Sequence, residues 1–202
     1  MLRKVAALVM MGMSLGVGSA YAQEANAGPS AVEVTFMPAS AAYFAEKDDS
    51  PSFGNIGYGS AVVFNINRFV GIEGEFGSMI ATTSDLQFGD LDNDIKAPNM
   101  LSYNANAVIS LPAKLSVIPY ATIGVGGLTM FERPALGVLD DETFLTGNVG
   151  GGVKWFASNR RWGIRGDYRF AVTQSKDDAP AFFGRDTRYA HRVYGGIIIN
   201  TR

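Results

Sequence analysis

The sequence predicts an all-β fold, an eight-stranded antiparallel transmembrane β-barrel wound as an up-and-down meander. Three observations carry that prediction. Eight segments alternate apolar with polar or small side chains at a period of two. The connections between them alternate between short turns and long loops. The face opposite the apolar one collects acids and bases in equal number. A sheet in water buries its apolar face, whereas a closed barrel in lipid turns that face outward and keeps charges in its lumen.

The bulk properties frame this fold. The chain has 202 residues, room for one domain. Leu2-Arg3-Lys4 is a basic start, 5–17 is an apolar run, and Ser19-Ala20-Tyr21-Ala22 offers an A-x-A cleavage site. Residues 1–22 therefore read as a secretory signal peptide, with the barrel domain over 23–202. A membrane anchor is the weaker reading, because the run is short and broken by Gly12, Gly16 and Gly18. Losing Arg3 and Lys4 takes the formal net charge from −2 to −4, which gives no reason to expect nucleic acid. With no cysteine, an exported chain has neither a disulfide framework nor a thiolate metal site. No later apolar run is long enough for a spanning helix, so membrane entry requires strands.

The first segment, 31–38, sets Val32, Val34 and Phe36 against Glu33 and Thr35. In 57–66, Tyr58, Val62, Phe64 and Ile66 oppose Gly59, Ala61, Val63 and Asn65. In 70–78, Val70, Ile72, Gly74 and Phe76 oppose Gly71, Glu73, Glu75 and Gly77. The fourth, 101–111, places Leu101, Tyr103, Ala105, Ala107 and Ile109 against Ser102, Asn104, Asn106, Val108 and Ser110. The fifth, 117–127, sets Val117, Pro119, Ala121, Ile123 and Val125 against Tyr120, Thr122, Gly124 and Gly126. Segments six and seven form a hairpin within 148–170. There Trp162, Ile164, Tyr168 and Phe170 oppose Arg165, Asp167 and Arg169. The eighth, 191–200, sets Val193, Ile197 and Ile199 against Arg192, Tyr194 and Ile198.

Asn67-Arg68, Pro112-Ala113-Lys114 and 157–161 are the short turns. The loops 40–55, 79–99, 128–147 and 173–190 are long and mostly polar. Short turns at one end and long loops at the other match a barrel of the bacterial outer membrane, with the loops outside the cell. An even strand count returns both termini to the periplasmic side. The lumen face then carries Glu33, Glu73, Glu75, Lys154, Arg165, Asp167, Arg169 and Arg192. An eight-stranded bore is only wide enough to be filled by side chains, and buried charges need partners. A balanced set can therefore pair and plug it. Glycines on the same face, such as Gly150 and Gly152, leave room for the long side chains. On the lipid face Phe64, Trp155 and Trp162 sit beside short turns, where an aromatic girdle belongs. Phe69 borders a turn but falls on the lumen parity and is left unassigned.

The stretches VVFNINRFVGIEGEFG (62–77), PYATIGVGG (119–127) and NVGGGVKWFASNRRWGIRGDYRF (148–170) resemble the eight-stranded outer-membrane barrels of the OmpA-like and opacity-porin type. The resemblance covers nearly all of 23–202. It implies a non-enzymatic outer-membrane barrel that anchors the surface or displays loops, with ionic interactions in the bore. Glu73, Glu75, Arg165, Asp167 and Arg169 match such lumen charges by parity. The chain departs from the pattern in two ways. No peptidoglycan-binding domain follows the barrel, so cell-wall tethering is not expected. The final residues Ile199-Asn200-Thr201-Arg202 replace the usual terminal Phe of the assembly signal.

Candidate chemistry elsewhere has plainer readings. His191 is the lone histidine; a lipid-modifying barrel enzyme would need a serine partner, and none lies in its segment. Asp90-Leu91-Asp92-Asn93-Asp94 starts like a calcium loop but has Ile95 at the sixth position and Leu101 at the twelfth. A solvated acidic loop, with at most a weak divalent-ion contact at lipopolysaccharide, fits better. The glycines at 124–127 and 150–152 continue as strands rather than opening a helix, unlike a phosphate loop. Glu73 and Glu75 could pass for paired catalytic carboxylates, but arginines on the same face favour structural pairing. The expectation is a barrel without enzymatic activity, cofactor or metal. Its partners are outer-membrane lipid, lipopolysaccharide and an extracellular ligand at the loops. The alternatives are a small pore, with a continuous water path, and a soluble lipocalin-like barrel, with apolar residues inside.

Overall fold

The computed structural model describes residues 31–46, 50–81, 83–88, 91–111, 116–176, 179–180 and 182–201. The expected signal peptide (1–22), the turn at 112–114 and Asp90 lie outside these residues. The strands are β1 (Val32–Phe44), β2 (Phe53–Asn65), β3 (Val70–Ala81), β4 (Thr83–Phe88), β5 (Leu91–Lys96), β6 (Met100–Ser110), β7 (Val117–Met130), β8 (Glu142–Phe156), β9 (Trp162–Gln174) and β10 (Arg188–Thr201). A 3-10 turn, Pro134–Leu136, interrupts the β7–β8 loop.

Eight of the strands close into one barrel in the order β1-β10-β9-β8-β7-β6-β3-β2. Each pairs antiparallel with its neighbours, and β1 on β10 closes the ring. β4 and β5 form a separate hairpin between β3 and β6. Alternation within the strands gives two walls. Ile72, Ile123, Val125, Ile164, Val193 and Ile197 face out, while the charged residues of β3, β8 and β9 are buried inside.

Three details differ from the sequence expectations. First, β1 does not stop at Pro38. It passes through a bulge, where the register with β10 shifts between Phe36 and Ala39. Proline has no N–H for the ladder, so a bulge is where a paired strand can hold it. The inward parity switches there, from Glu33, Thr35 and Met37 to Ala42 and Phe44. Second, several strands run well into the expected loops: β8 begins at Glu142 and β7 continues to Met130. Third, part of the expected polar loop 79–99 is the β4–β5 hairpin.

The extended strand ends have a physical reason. Above the charged zone their inward positions turn apolar. Phe44, Phe53, Leu128, Met130 and Phe144 meet Phe182 and Phe183 from the β9–β10 loop in one buried cluster. Phe144 and Phe183 stack at 4.4 Å, and Phe44 and Phe53 at 4.6 Å. The guanidinium of Arg188 lies over the Phe53 and Phe183 rings at 5.7 and 5.6 Å, and its Nη2 donates to the Pro51 carbonyl at 2.7 Å. At the short-turn end a smaller cluster of Ile118, Phe156 and Ile198 fills the interior. The bore is thus layered, with apolar ends and a charged middle.

Phe183 is fully buried in the upper cluster. Phe183→Ala should lower stability by about 3–5 kcal/mol, the cost of emptying an aromatic core site. Denaturant unfolding in detergent checks this, and an unchanged midpoint would show that the loop does not cap the barrel.

Candidate functional site: the charged interior

The site is built from alternate residues of five strands. Glu33 comes from β1, Glu73 and Glu75 from β3, and Lys154 from β8. Arg165, Asp167 and Arg169 come from β9, and Arg192 from β10. A period of two puts each triplet such as 165, 167 and 169 on one face, and the closed ring points that face at the axis. All eight are buried or nearly so; Arg192 keeps the most exposure, at 11 % of its side chain.

Two ionic groups result. Near the short turns, Lys154 Nζ lies 2.6 Å from Glu33 Oε2, both side chains wholly buried. Asn65 Nδ2 donates to the other oxygen of Glu33 at 3.3 Å. Higher in the bore, Arg165 and Arg169 grip Glu73 from two sides, Nη1 of the first at 2.5 Å and Nη2 of the second at 2.9 Å. Both arginines also bind Asp167, Arg165 through Nη2 at 2.7 Å and Arg169 through Nε at 2.8 Å. Glu75 pairs with Arg169 Nη1 at 3.3 Å and with Arg192. Each carboxylate thus has a cationic partner within reach, which is the condition for burying it.

Neutral side chains complete the network. Tyr120 donates its hydroxyl to Asp167 and accepts from Arg165 Nε at 2.6 Å. Tyr194 accepts from Arg169 Nη2 at 2.7 Å and donates to Glu75 Oε2 at 3.1 Å. Asn106 donates to Glu73 at 3.0 Å, and Asn148 accepts from Arg169 Nη1 at 3.1 Å while donating to Asn106 at 3.0 Å. The sequence reading did not assign Tyr120, Tyr194, Asn106 or Asn148 to the site. Their signal was available, since each shares the parity of the charged face on its own strand. Two glycines make the fit possible. A Cβ on Gly150 would fall 2.9 Å from Arg169 Cδ, and one on Gly152 2.8 Å from the Tyr120 hydroxyl.

Between this network and the aromatic cap lies a cavity of about 20 Å³, lined in part by Ser102, Asn104, Thr146, Thr173 and Arg192. That is room for about one water molecule.

The other candidates fall elsewhere. Phe64, Trp155 and Trp162 face outward at the short-turn end, and the two tryptophans meet edge to face at 5.8 Å. Phe69 is also exposed, under the Arg68 guanidinium at 4.7 Å. His191 is on the outer wall, not in the bore. Its Nδ1 lies 2.8 Å from the Tyr168 hydroxyl, and its ring packs near Phe170. It therefore has a partner, a tyrosine rather than the serine that acyl chemistry would need. Residues 91–94 belong to β5 and pair with β4, and the glycines at 124–127 and 150–152 lie within β7 and β8. Among the described residues no group of three or more acids or histidines could hold a metal ion.

A soluble ligand-binding barrel would have the reverse arrangement, apolar inside and charged outside. Residues 5–188 match the family described as "Outer membrane protein beta-barrel domain". No match was found among curated protein sequences. Solved structures share the fold at low identity. Neisserial surface protein A is 16% identical, with a TM-score of 0.57 over 86% of this chain and 99% of that one. The N-terminal β-barrel domain of Pseudomonas aeruginosa OprF is 13% identical, with a TM-score of 0.51 over 85% and 99%. Ail, the attachment invasion locus protein of Yersinia pestis, in complex with the heparin analogue sucrose octasulfate, is 15% identical, with a TM-score of 0.51 over 85% and 99%. With a match over most of its length and an eight-stranded ring of the same kind, the chain belongs to the outer membrane protein beta-barrel domain family.

Proposed function

We propose that this protein is a closed, non-enzymatic barrel of the outer membrane, which acts through its membrane wall and extracellular loops rather than through its bore. The observation that carries this reading is the mutual pairing of the eight buried interior charges. Charges that line a water path are exposed to it, whereas these are spent on one another. The apolar layers above and below, Phe144 with Phe183 and Ile118 with Phe156, argue the same way. A pore would need a continuous wet path through both layers and the network between them.

The loops are then the part free to meet other molecules. The extracellular partner is a surface molecule reached by the long β1–β2, β3–β6, β7–β8 and β9–β10 connections. That Ail of Yersinia pestis holds a heparin analogue gives one precedent for a ligand at a barrel of this fold. The loops here carry most of the chain's acids, including Asp140 and Asp141. A polyanion of that kind is therefore the less favoured ligand.

In planar bilayers the intact barrel should give no steady conductance, and a stable open level altered by changing Arg165 would establish a pore instead. Lys154→Met should cost about 3–5 kcal/mol, because it strands the buried Glu33. Adding Glu33→Gln should recover much of that loss, since no unpaired charge is left. A double-mutant cycle by unfolding in detergent measures both, and strict additivity would contradict the pairing. Arg165→Ala should also lower the unfolding midpoint, by a comparable amount of about 3–5 kcal/mol at most, because Glu73 and Asp167 each lose a partner.

A further inference from the structure

The turns at the two ends of the barrel differ sharply in charge. The β2–β3 turn holds Arg68 and the β8–β9 turn holds Arg160 and Arg161, and neither contains an acid. In the ring order these turns stand opposite each other, four strands apart. Arg68 and Arg161 are exposed. The turns are also well defined. Asn67 Oδ1 accepts from the amides of Phe69 and Val70 at 2.8 and 2.9 Å, and Asn159 Oδ1 accepts from the Arg161 amide at 3.0 Å.

The aromatic residues fix the depth of this rim. Trp155 and Trp162 flank the β8–β9 turn on the outer wall, each 40–46% exposed. Amphipathic rings of this kind settle at the headgroup level of a bilayer. Arginines one turn residue away therefore lie among headgroups, where the abundant anion is the lipid phosphate. Guanidinium forks suit phosphate oxygens, and the aliphatic stems can lie along apolar surface, as Arg68 does over Phe69.

We propose that Arg68 and Arg161, on these two turns, form a binding surface for anionic glycerophospholipid headgroups in the leaflet beside the short turns. This rests on the outer-membrane reading, and the test separates the two. The chain contains two tryptophans, both at the β8–β9 turn, so its fluorescence reports that site. The folded barrel is placed in phosphatidylcholine vesicles that carry a small fraction of either brominated phosphatidylglycerol or brominated phosphatidylcholine. Quenching should favour the phosphatidylglycerol about fivefold or more, the scale of one cation at an anionic surface.

Arg161→Gln should bring the two lipids to parity. Arg161→Lys should keep most of the preference and shows that loss in the Gln variant is not misfolding. Equal quenching in the wild type, or a preference that survives the Gln change, would overturn the headgroup site. Absence of quenching by either brominated lipid would overturn the membrane placement itself.

Discussion

The hydrogen-bond ladder between β1 and β10 is the constraint on which the rest depends. Hydrocarbon offers no partner to a backbone amide, so a sheet can cross a membrane only if it has no open edge. Closure fixes everything downstream. With eight strands the interior is just wide enough for side chains to fill. Whatever faces inward must then be packed and paired like a protein core, even where it is charged.

The charged layer meets that requirement with a polar solution. Glu73, Asp167 and Glu75 face Arg165, Arg169 and Arg192, and tyrosine hydroxyls and asparagine amides take up donors and acceptors between them. Such a layer is not a strong source of stability, since desolvation offsets most of the attraction. Removing one partner strands another, so the side chains have few alternatives to the observed arrangement. The apolar layers at both ends contribute stability in the ordinary way, by taking Phe44, Phe144, Phe183, Ile118 and Phe156 out of water. At one end the short turns gather arginines beside outward-facing tryptophans.

The eight barrel strands were legible because their alternation is strong where they meet lipid on one side. Trp162, Ile164 and Tyr168 against Arg165, Asp167 and Arg169 is such a case. The upper strand ends were not. From Glu142 to Gly147 the residues read as a polar loop, although Phe144 and Thr146 point inward in β8. There the outward positions include Thr143 and Gly147 and an inward one is Thr146, so the apolar-polar alternation fades. Phe182 and Phe183 carry no periodic signal at all, since they reach the interior from a loop. The parity of Pro38 and beyond was hidden by the bulge, which resets the count in β1.

By itself the sequence determined which residues share a face within each barrel segment, how many strands the barrel has and that the two faces differ in kind. Those are local properties: the side-chain direction follows from the backbone repeat, residue by residue. Tertiary structure alone decided which charges meet. Lys154 and Glu33 are far apart along the chain, and Arg165 reaches Glu73 across the bore rather than along a strand. Those choices depend on the register of every ladder and on where β1 closes on β10, and no single segment encodes either.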